Sequence, residues 1–179
     1  VILRKNNLRI KRNKKTKILI FKNYNDLNEK LKKIKVDIVI HCATHYVKNH
    51  KFNDLAKLAN SNILFGNIIL ENLKNMNVKK FIYLSTVWEN YDGIENNFFN
   101  LYASYKKSFK NIITYYKKLY PKLIFLNLNL SDTFGEKDKR SKIINTLKNN
   151  LKKKRKTQII SKNLYLNLLN VKDVVSAVK

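Results

Sequence analysis

The chain has 179 residues, a formal net charge of +26, 44% hydrophobic and 11% aromatic content. That length and apolar fraction allow one domain with a buried core and exclude intrinsic disorder. No apolar run is long enough to span a bilayer, and the single cysteine, Cys42, excludes an intramolecular disulfide and fits a reducing, cytoplasmic compartment.

Lysine carries the charge. Of 38 Lys+Arg, only Arg4, Arg9, Arg12, Arg140 and Arg155 are arginine, the better reader of base edges. Basic residues are spread along the chain, with dense patches only at 11–17 and 148–156, and no zinc-finger, RNP or helix-turn-helix pattern occurs. The balance favours compositional drift towards Lys, Asn and Ile over specific nucleic-acid binding. It predicts salt-sensitive, nonspecific sticking to polyanions.

In chain order, a strand end at 1–5 is followed by a second strand at 17–21. The chain opens at Val1 inside this strand-like run, which reads as a piece of a longer protein. Asp26 is placed to cap a short helix over 27–34. The near-continuous apolar run 36–40 predicts a parallel strand covered on both faces. A long helix is predicted over 52–75, a strand over 80–84, a helix from Leu101 to Leu119, and a strand over 123–128. Alternating strands and helices predict a doubly wound α/β sheet, in which ligands sit beyond the carboxyl ends of the strands. After Gly135 the pattern changes to a Lys-rich helix over 141–154, short strands at 158–161 and 166–170, and a helix headed by Asp173. The three glycines, Gly66, Gly93 and Gly135, form no cluster of the kind that lets backbone approach a pyrophosphate.

The stretch 81–106 carries the chemistry. Phe81-Ile82-Tyr83-Leu84-Ser85-Thr86 reads as a strand ending in two hydroxyls, and Tyr102 and Lys106 then share one face of a helix. A cation beside a phenol favours the phenolate, so Lys106 is expected to lower the Tyr102 pKa. With 10 Tyr among so many Lys, about two such pairs would arise by chance, so the weight rests on this context. Tyr105 is followed four residues on by Phe109 and reads as packing or rim. His41, His45 and His50 lie close in sequence, but their spacing matches no zinc pattern, and no metal is expected.

This run, with Asn100-Leu101-Tyr102-Ala103, Asp37-Ile38-Val39-Ile40-His41-Cys42-Ala43, Asp132-Thr133-Phe134-Gly135 and Val171-Lys172-Asp173-Val174, resembles the extended short-chain dehydrogenase/reductases. These are NAD(P)-dependent nucleotide-sugar epimerases, dehydratases and reductases, and the likeness is greatest to the CDP-abequose/CDP-paratose synthase group. It implies a partial Rossmann-type doubly wound parallel sheet lacking its first βα unit. An incomplete NAD(P)-binding domain would occupy 1–135 and the start of a small C-terminal substrate-binding part 136–179.

The resemblance further implies reduction of a 4-keto group on a nucleotide-linked deoxysugar for a surface polysaccharide. Related alternatives are a 4-epimerase or 4,6-dehydratase; others are an inactive remnant or a basic nucleic-acid-binding protein. Val87-Trp88, rather than an acidic pair, follows Thr86 and ranks dehydratase below reductase. By the same resemblance Tyr102 donates the proton, Lys106 is its partner and ribose anchor, and Thr86 orients substrate, with Ser85 a weaker second hydroxyl. Ala43, Thr44, Asn62 and Leu130 fall at cofactor positions, while Trp88 and Asp132 face substrate. Arg4, with Lys5, suits the 2′-phosphate of NADP rather than NAD. The partner is a nucleotide sugar, with no membrane or specific nucleic acid, and a homodimer is admitted.

Overall fold

The computed structural model describes residues 1–3, 16–136, 138, 140, 142–158 and 165–179. The chain divides into two units, Val1–Leu128 and Asn129–Lys179.

In the first unit, β1 (Ile2–Leu3) and β2 (Leu19–Ile20) pair in parallel. Helix α1 (Tyr24–Lys32) begins on Asn23, whose side-chain oxygen accepts from the Asp26 N–H at 2.9 Å. Asp26, the expected cap, stands instead in the first turn, where its carboxylate accepts from the Lys22 N–H at 2.8 Å and from Lys30 at 2.9 Å. A carboxylate there opposes the positive end of the helix dipole.

Strands β3 (Ile38–His41) and β4 (Lys80–Thr86) run parallel with Ile40 opposite Ile82, and β5 (Ile124–Leu130) lies on the other side of β4. Between β3 and β4 the chain forms a 3₁₀ turn at Phe52–Asp54, α2 (Leu55–Ala59), a π-helical turn at Asn60–Leu64, and α3 (Phe65–Glu71). The helix predicted over 52–75 is therefore interrupted and shorter. It stops where the Asn72 side-chain amide donates to the Ile68 carbonyl at 2.9 Å, a local bond that competes with the helical ladder.

Helix α4 (Leu101–Leu119) starts on Asn100, which accepts from the Ala103 N–H at 3.0 Å. Its buried stripe is Ala103, Lys106, Phe109, Ile113 and Tyr116, so one lysine stands among apolar residues.

The core of this unit joins Leu27 and Leu31 of α1, Leu70 and Leu73, Phe81 and Tyr83 of β4, and Phe109 of α4, all fully buried. Each such side chain contributes about 1.5–3 kcal/mol. His41 is part of it, its ring 5.2–6.1 Å from those of Phe65, Phe81, Tyr83 and Phe109. Burial, then the nearby Lys106 charge, lowers its pKa to about 3, so His41 is a neutral core ring.

Among the described residues the opposite face is only partly covered, with Ile82 of β4 buried at 2%. On the opposite face Ile38 and Ile40 are each 48% exposed, with Ile124 at 53% and Leu126 at 41%. The apolar run expected to be covered on both sides thus has one open side. Among the described residues β3 is an edge strand, and β1–β2 form a separate sheet.

In the second unit, β6 (Asp132–Phe134) and β7 (Leu168–Asn170) pair in parallel, with Thr133 opposite Leu169. Helix α5 spans Ile143–Lys152 and α6 spans Val171–Val178. Asn170, not Asp173, caps α6, accepting from the Lys172 N–H at 2.9 Å; Asp173 lies in the first turn. The strand predicted over 158–161 falls mostly outside the described residues.

Gly66 of α3 is where a backbone must come close to a ring. A Cβ there would lie 2.3 Å from the Phe109 ring and 3.1 Å from His41 Nε2. Gly66→Ala is expected to destabilise by about 1–3 kcal/mol, because overpacking of a fully buried ring outweighs the gain in helix propensity. Urea denaturation measures it; an unchanged midpoint contradicts the packing.

Candidate active site

The carboxyl end of β4 is the centre of the candidate site. Thr86 is 8% exposed, and its Oγ1 accepts from the Trp88 N–H at 3.3 Å, capping the turn that follows the strand. Ser85 is 3% exposed and donates at 3.4 Å to Glu89, so it is committed to the interior. Glu89 has no exposed surface and is paired with Lys110 at 2.6 Å. The sequence marks Glu89 only as the acid three residues after Thr86; its burial and its pairing with Lys110 come from the fold.

Lys106 is 2% exposed and anchored to this strand end, its Nζ donating to the Leu84 carbonyl at 2.6 Å and lying 4.3 Å from the Tyr83 ring centroid. The Tyr83 hydroxyl in turn donates to the Lys106 carbonyl at 3.2 Å. Burial lowers the Lys106 pKa to about 8, with Cys42 and Glu89 pulling it back up.

Tyr102 stands one turn earlier on α4, next to the loop after β3. Its pKa is raised, not lowered as the spacing led one to expect. Burial dominates, a hydrogen bond with Thr44 pulls it down, and Tyr46 pushes it up. The ammonium of Lys106 is directed to the Leu84 carbonyl.

The loop after β3 is tied down by Asn62, 2% exposed in the π-helical turn. Its Oδ1 accepts from Thr44 Oγ1 at 2.7 Å and from the His45 N–H at 3.1 Å, and its Nδ2 donates to the His45 carbonyl at 3.0 Å. The structure therefore brings together Thr44, Asn62 and Tyr102, and separately joins Lys106 to the strand that ends in Thr86. Ala43, at the mouth of the same loop, is exposed. Two buried nitrogens nearby, His45 Nε2 and Asn100 Nδ2, have no hydrogen-bond partner among the described residues.

Arg4 lies outside the described residues. Leu130 ends β5, and Asp132 in β6 pairs with Lys142 at 3.1 Å; both belong to the second unit. That unit has its own hollow of about 490 Å³, whose lining includes Phe134, Glu136, Arg140, Lys148, Val171 and Lys172. No helix among the described residues is long and apolar enough to cross a membrane.

Lys106 gives a test of this electrostatics. Below pH 8 both folded and unfolded chains keep its proton, and the folded state bears the full cost of burying charge. Between about 8 and 10.5 the unfolded chain holds more protons, so stability rises with pH. Lys106→Met is expected to remove this rise, worth about 3 kcal/mol. Urea denaturation of both proteins below pH 8 and near pH 10.5 measures it; parallel pH profiles contradict a buried ammonium.

A parallel α/β sheet with polar side chains gathered beyond its strand ends defines the doubly wound, nucleotide-binding class. Residues 3–179 match the NAD dependent epimerase/dehydratase family, and the chain belongs to it. It is 27% identical over 156 residues to CDP-abequose synthase of Yersinia pseudotuberculosis, covering 87% of this chain and 54% of that protein. It is 32% identical over 166 residues to dTDP-D-glucose 4,6-dehydratase of Dictyostelium discoideum, covering 81% and 38%.

Among solved structures, UDP-glucuronic acid 4-epimerase from Bacillus cereus, in complex with UDP-glucuronic acid and NAD, superposes with a TM-score of 0.71 at 17% identity. This covers 90% of the present chain and 56% of that one. UDP-glucose 4-epimerase from Thermus thermophilus, in complex with NAD, gives 0.72 at 16%, covering 95% and 62%. These likenesses establish the Rossmann-type fold. The chain spans about half the length, or less, of these two curated relatives.

Proposed function

We propose that the protein reduces the 4-keto group of a nucleotide-linked deoxysugar, with Tyr102 as proton donor. The observation that carries this reading is the seating of Tyr102 on α4 against the loop after β3, beside Tyr46 and one turn from the buried Lys106. A protonated phenol is ready to give its proton to an alkoxide. Glu89, the acid closest after Thr86, is buried and paired with Lys110, which argues against the elimination step of a dehydratase.

Thr86 would hold the substrate oxygen from the strand end. Lys106 would contribute a positive charge and, with two donors beyond its bond to Leu84, reach a ribose hydroxyl. The residues fit a dinucleotide on this chain's own terms: Ala43 leaves the loop after β3 open, and the orphaned His45 Nε2 and Asn100 Nδ2 await partners. A nicotinamide cofactor supplies the hydride. NADP is preferred to NAD on the strength of Arg4 and Lys5.

The bare edge of β3 and the open face of Ile38, Ile40, Ile124 and Leu126 would receive the first βα unit of the fold. On this reading the second unit begins the substrate-binding part, and Trp88 of the first unit would lie near the sugar.

The test is oxidation of NADPH that depends on a nucleotide-linked 4-keto-6-deoxyhexose. Turnover with release of the 4-hydroxy product supports the reading. Saturable cofactor binding without turnover of any 4-keto sugar overturns it.

A further inference from the structure

Between Asp138 and Asp173 the chain carries no acidic residue. Within that stretch Lys148, Lys152, Lys153, Lys154, Arg155 and Lys156 crowd into the end of α5 and the turn after it, all of them exposed. Asp132, Glu136 and Asp138 are taken by Lys142, Lys172 and Arg140, so among the described residues these cations have no acidic partner. Apolar side chains stand among them. Ile143, Leu147 and Leu151 lie four apart and share one face of α5. Along that face Ile143 is half-buried, Leu147 is 39% exposed and Leu151 80%. Lys148 and Lys152 each follow a leucine directly and border the same face.

The turn after α5 keeps the cations with the leucines. The Lys153 N–H donates to the Asn149 carbonyl at 3.1 Å, the Lys154 N–H to the Leu151 carbonyl at 3.1 Å, and the Arg155 N–H to the Asn150 carbonyl at 2.9 Å. The Asn150 side-chain amide donates to Thr157 Oγ1 at 3.0 Å, and Lys154 holds left-handed backbone at φ 53°. A helix that ends this way folds its chain back onto its last turn. The dipole of α5 favours cations at this end and accounts for one or two of them. It gives no reason for an exposed leucine in their midst.

We propose that the end of α5 and the turn after it rest on an anionic lipid surface, Leu147 and Leu151 entering the acyl boundary while the cations meet the headgroups. This is contact with a lipid face, not a span, so the lack of a long apolar helix among the described residues does not bear on it. It is also independent of the reading of Tyr102. Leucines bordered by lysines suit such a boundary, because the apolar side chains sink and the long basic ones reach back to the phosphates. Each cation near the surface adds about fivefold in affinity. A nucleic acid fits less well: no aromatic residue lies between Phe134 and Tyr165 to stack on a base, and a leucine gains nothing from a phosphate backbone. A protein groove reads apolar anchors over two turns of a helix, whereas the exposed ones of α5, Leu147 and Leu151, span a single turn.

The experiment floats the 179-residue chain with vesicles of phosphatidylcholine alone and with vesicles in which about a third of the lipid is phosphatidylserine. Binding to the anionic vesicles alone is expected. Because the whole chain is basic, two double variants separate the patch from net charge, each checked for folding by circular dichroism. Lys152→Gln with Lys153→Gln, and Lys117→Gln with Lys118→Gln, both remove two charges from exposed positions. The first should weaken vesicle binding about 25-fold and the second far less. Leu151→Asn should weaken it about tenfold and leave binding to a single-stranded oligonucleotide at the same salt unchanged. Equal loss from the two double variants overturns the proposal in favour of attraction by net charge. Undiminished vesicle binding of Leu151→Asn overturns it too, as does equal binding to neutral vesicles or binding to neither. Tighter binding to the oligonucleotide than to the anionic vesicles would assign the patch to nucleic acid instead. None of these outcomes touches the proposed reduction, which NADPH oxidation tests.

Discussion

Tyr102→Phe is expected to lower turnover by roughly 10²–10⁴-fold, the range a positioned acid contributes. The change removes one oxygen from a ring whose edge contact with Tyr46 survives, so folding and nucleotide binding should stay close to those of the parent. The phenol has a particular setting: burial raises its pKa, and Thr44, itself bonded to Asn62 at 2.7 Å, holds it back. The loss should therefore fall on kcat, with KM little changed. Undiminished turnover in Tyr102→Phe would remove the phenol from the reaction.

The second large effect concerns Glu89. Its carboxylate has no exposed surface and is held by Lys110 at 2.6 Å, with Ser85 at 3.4 Å as the remaining partner. Lys110→Met leaves that charge buried without its counter-ion. The expected cost is about 3 kcal/mol, at the low end for a broken buried pair because Lys110 is itself partly exposed. Glu89→Gln added to Lys110→Met should recover much of the loss, because a neutral amide is cheaper to bury than a lone carboxylate. Urea denaturation of the two single variants and the double variant measures this. A double variant no more stable than Lys110→Met would show that the charge is not the cause. The consequence reaches the site, since Glu89 and Lys110 join the turn after Thr86 to the body of α4.

The strands and helices that repeat apolar residues at fixed spacing were legible in the chain itself. The run 80–84 became β4, and Leu101 to Leu119 became α4 with the expected bounds. Local side-chain competition was harder to read. Asn23 took the cap expected of Asp26, and Asn170 that expected of Asp173, because each helix start offers more than one short polar residue within four positions. The break at Asn60–Leu64 depended on Asn62 reaching a loop seventeen and eighteen residues earlier, which no local pattern encodes.

For the candidate site, the strand with its terminal hydroxyls, the loop and the helix start, together with the family resemblance, pointed to Thr86, Tyr102 and Lys106 as candidates. The four-residue spacing alone did not, since about two such pairs arise by chance. The electrostatics of these residues were decided by the tertiary structure alone. Lys106 was expected to draw the phenol pKa down, but α4 lays that lysine in its buried stripe and turns the ammonium to the Leu84 carbonyl. Burial then dominates both groups, raising the phenol and lowering the amine. The same is true of Tyr46, Tyr91 and Phe99, which only a folded loop gathers beside Tyr102. A sequence states which groups can ionise or stack. How much water each retains, and which neighbour it meets, depends on segments brought together from far apart in the chain.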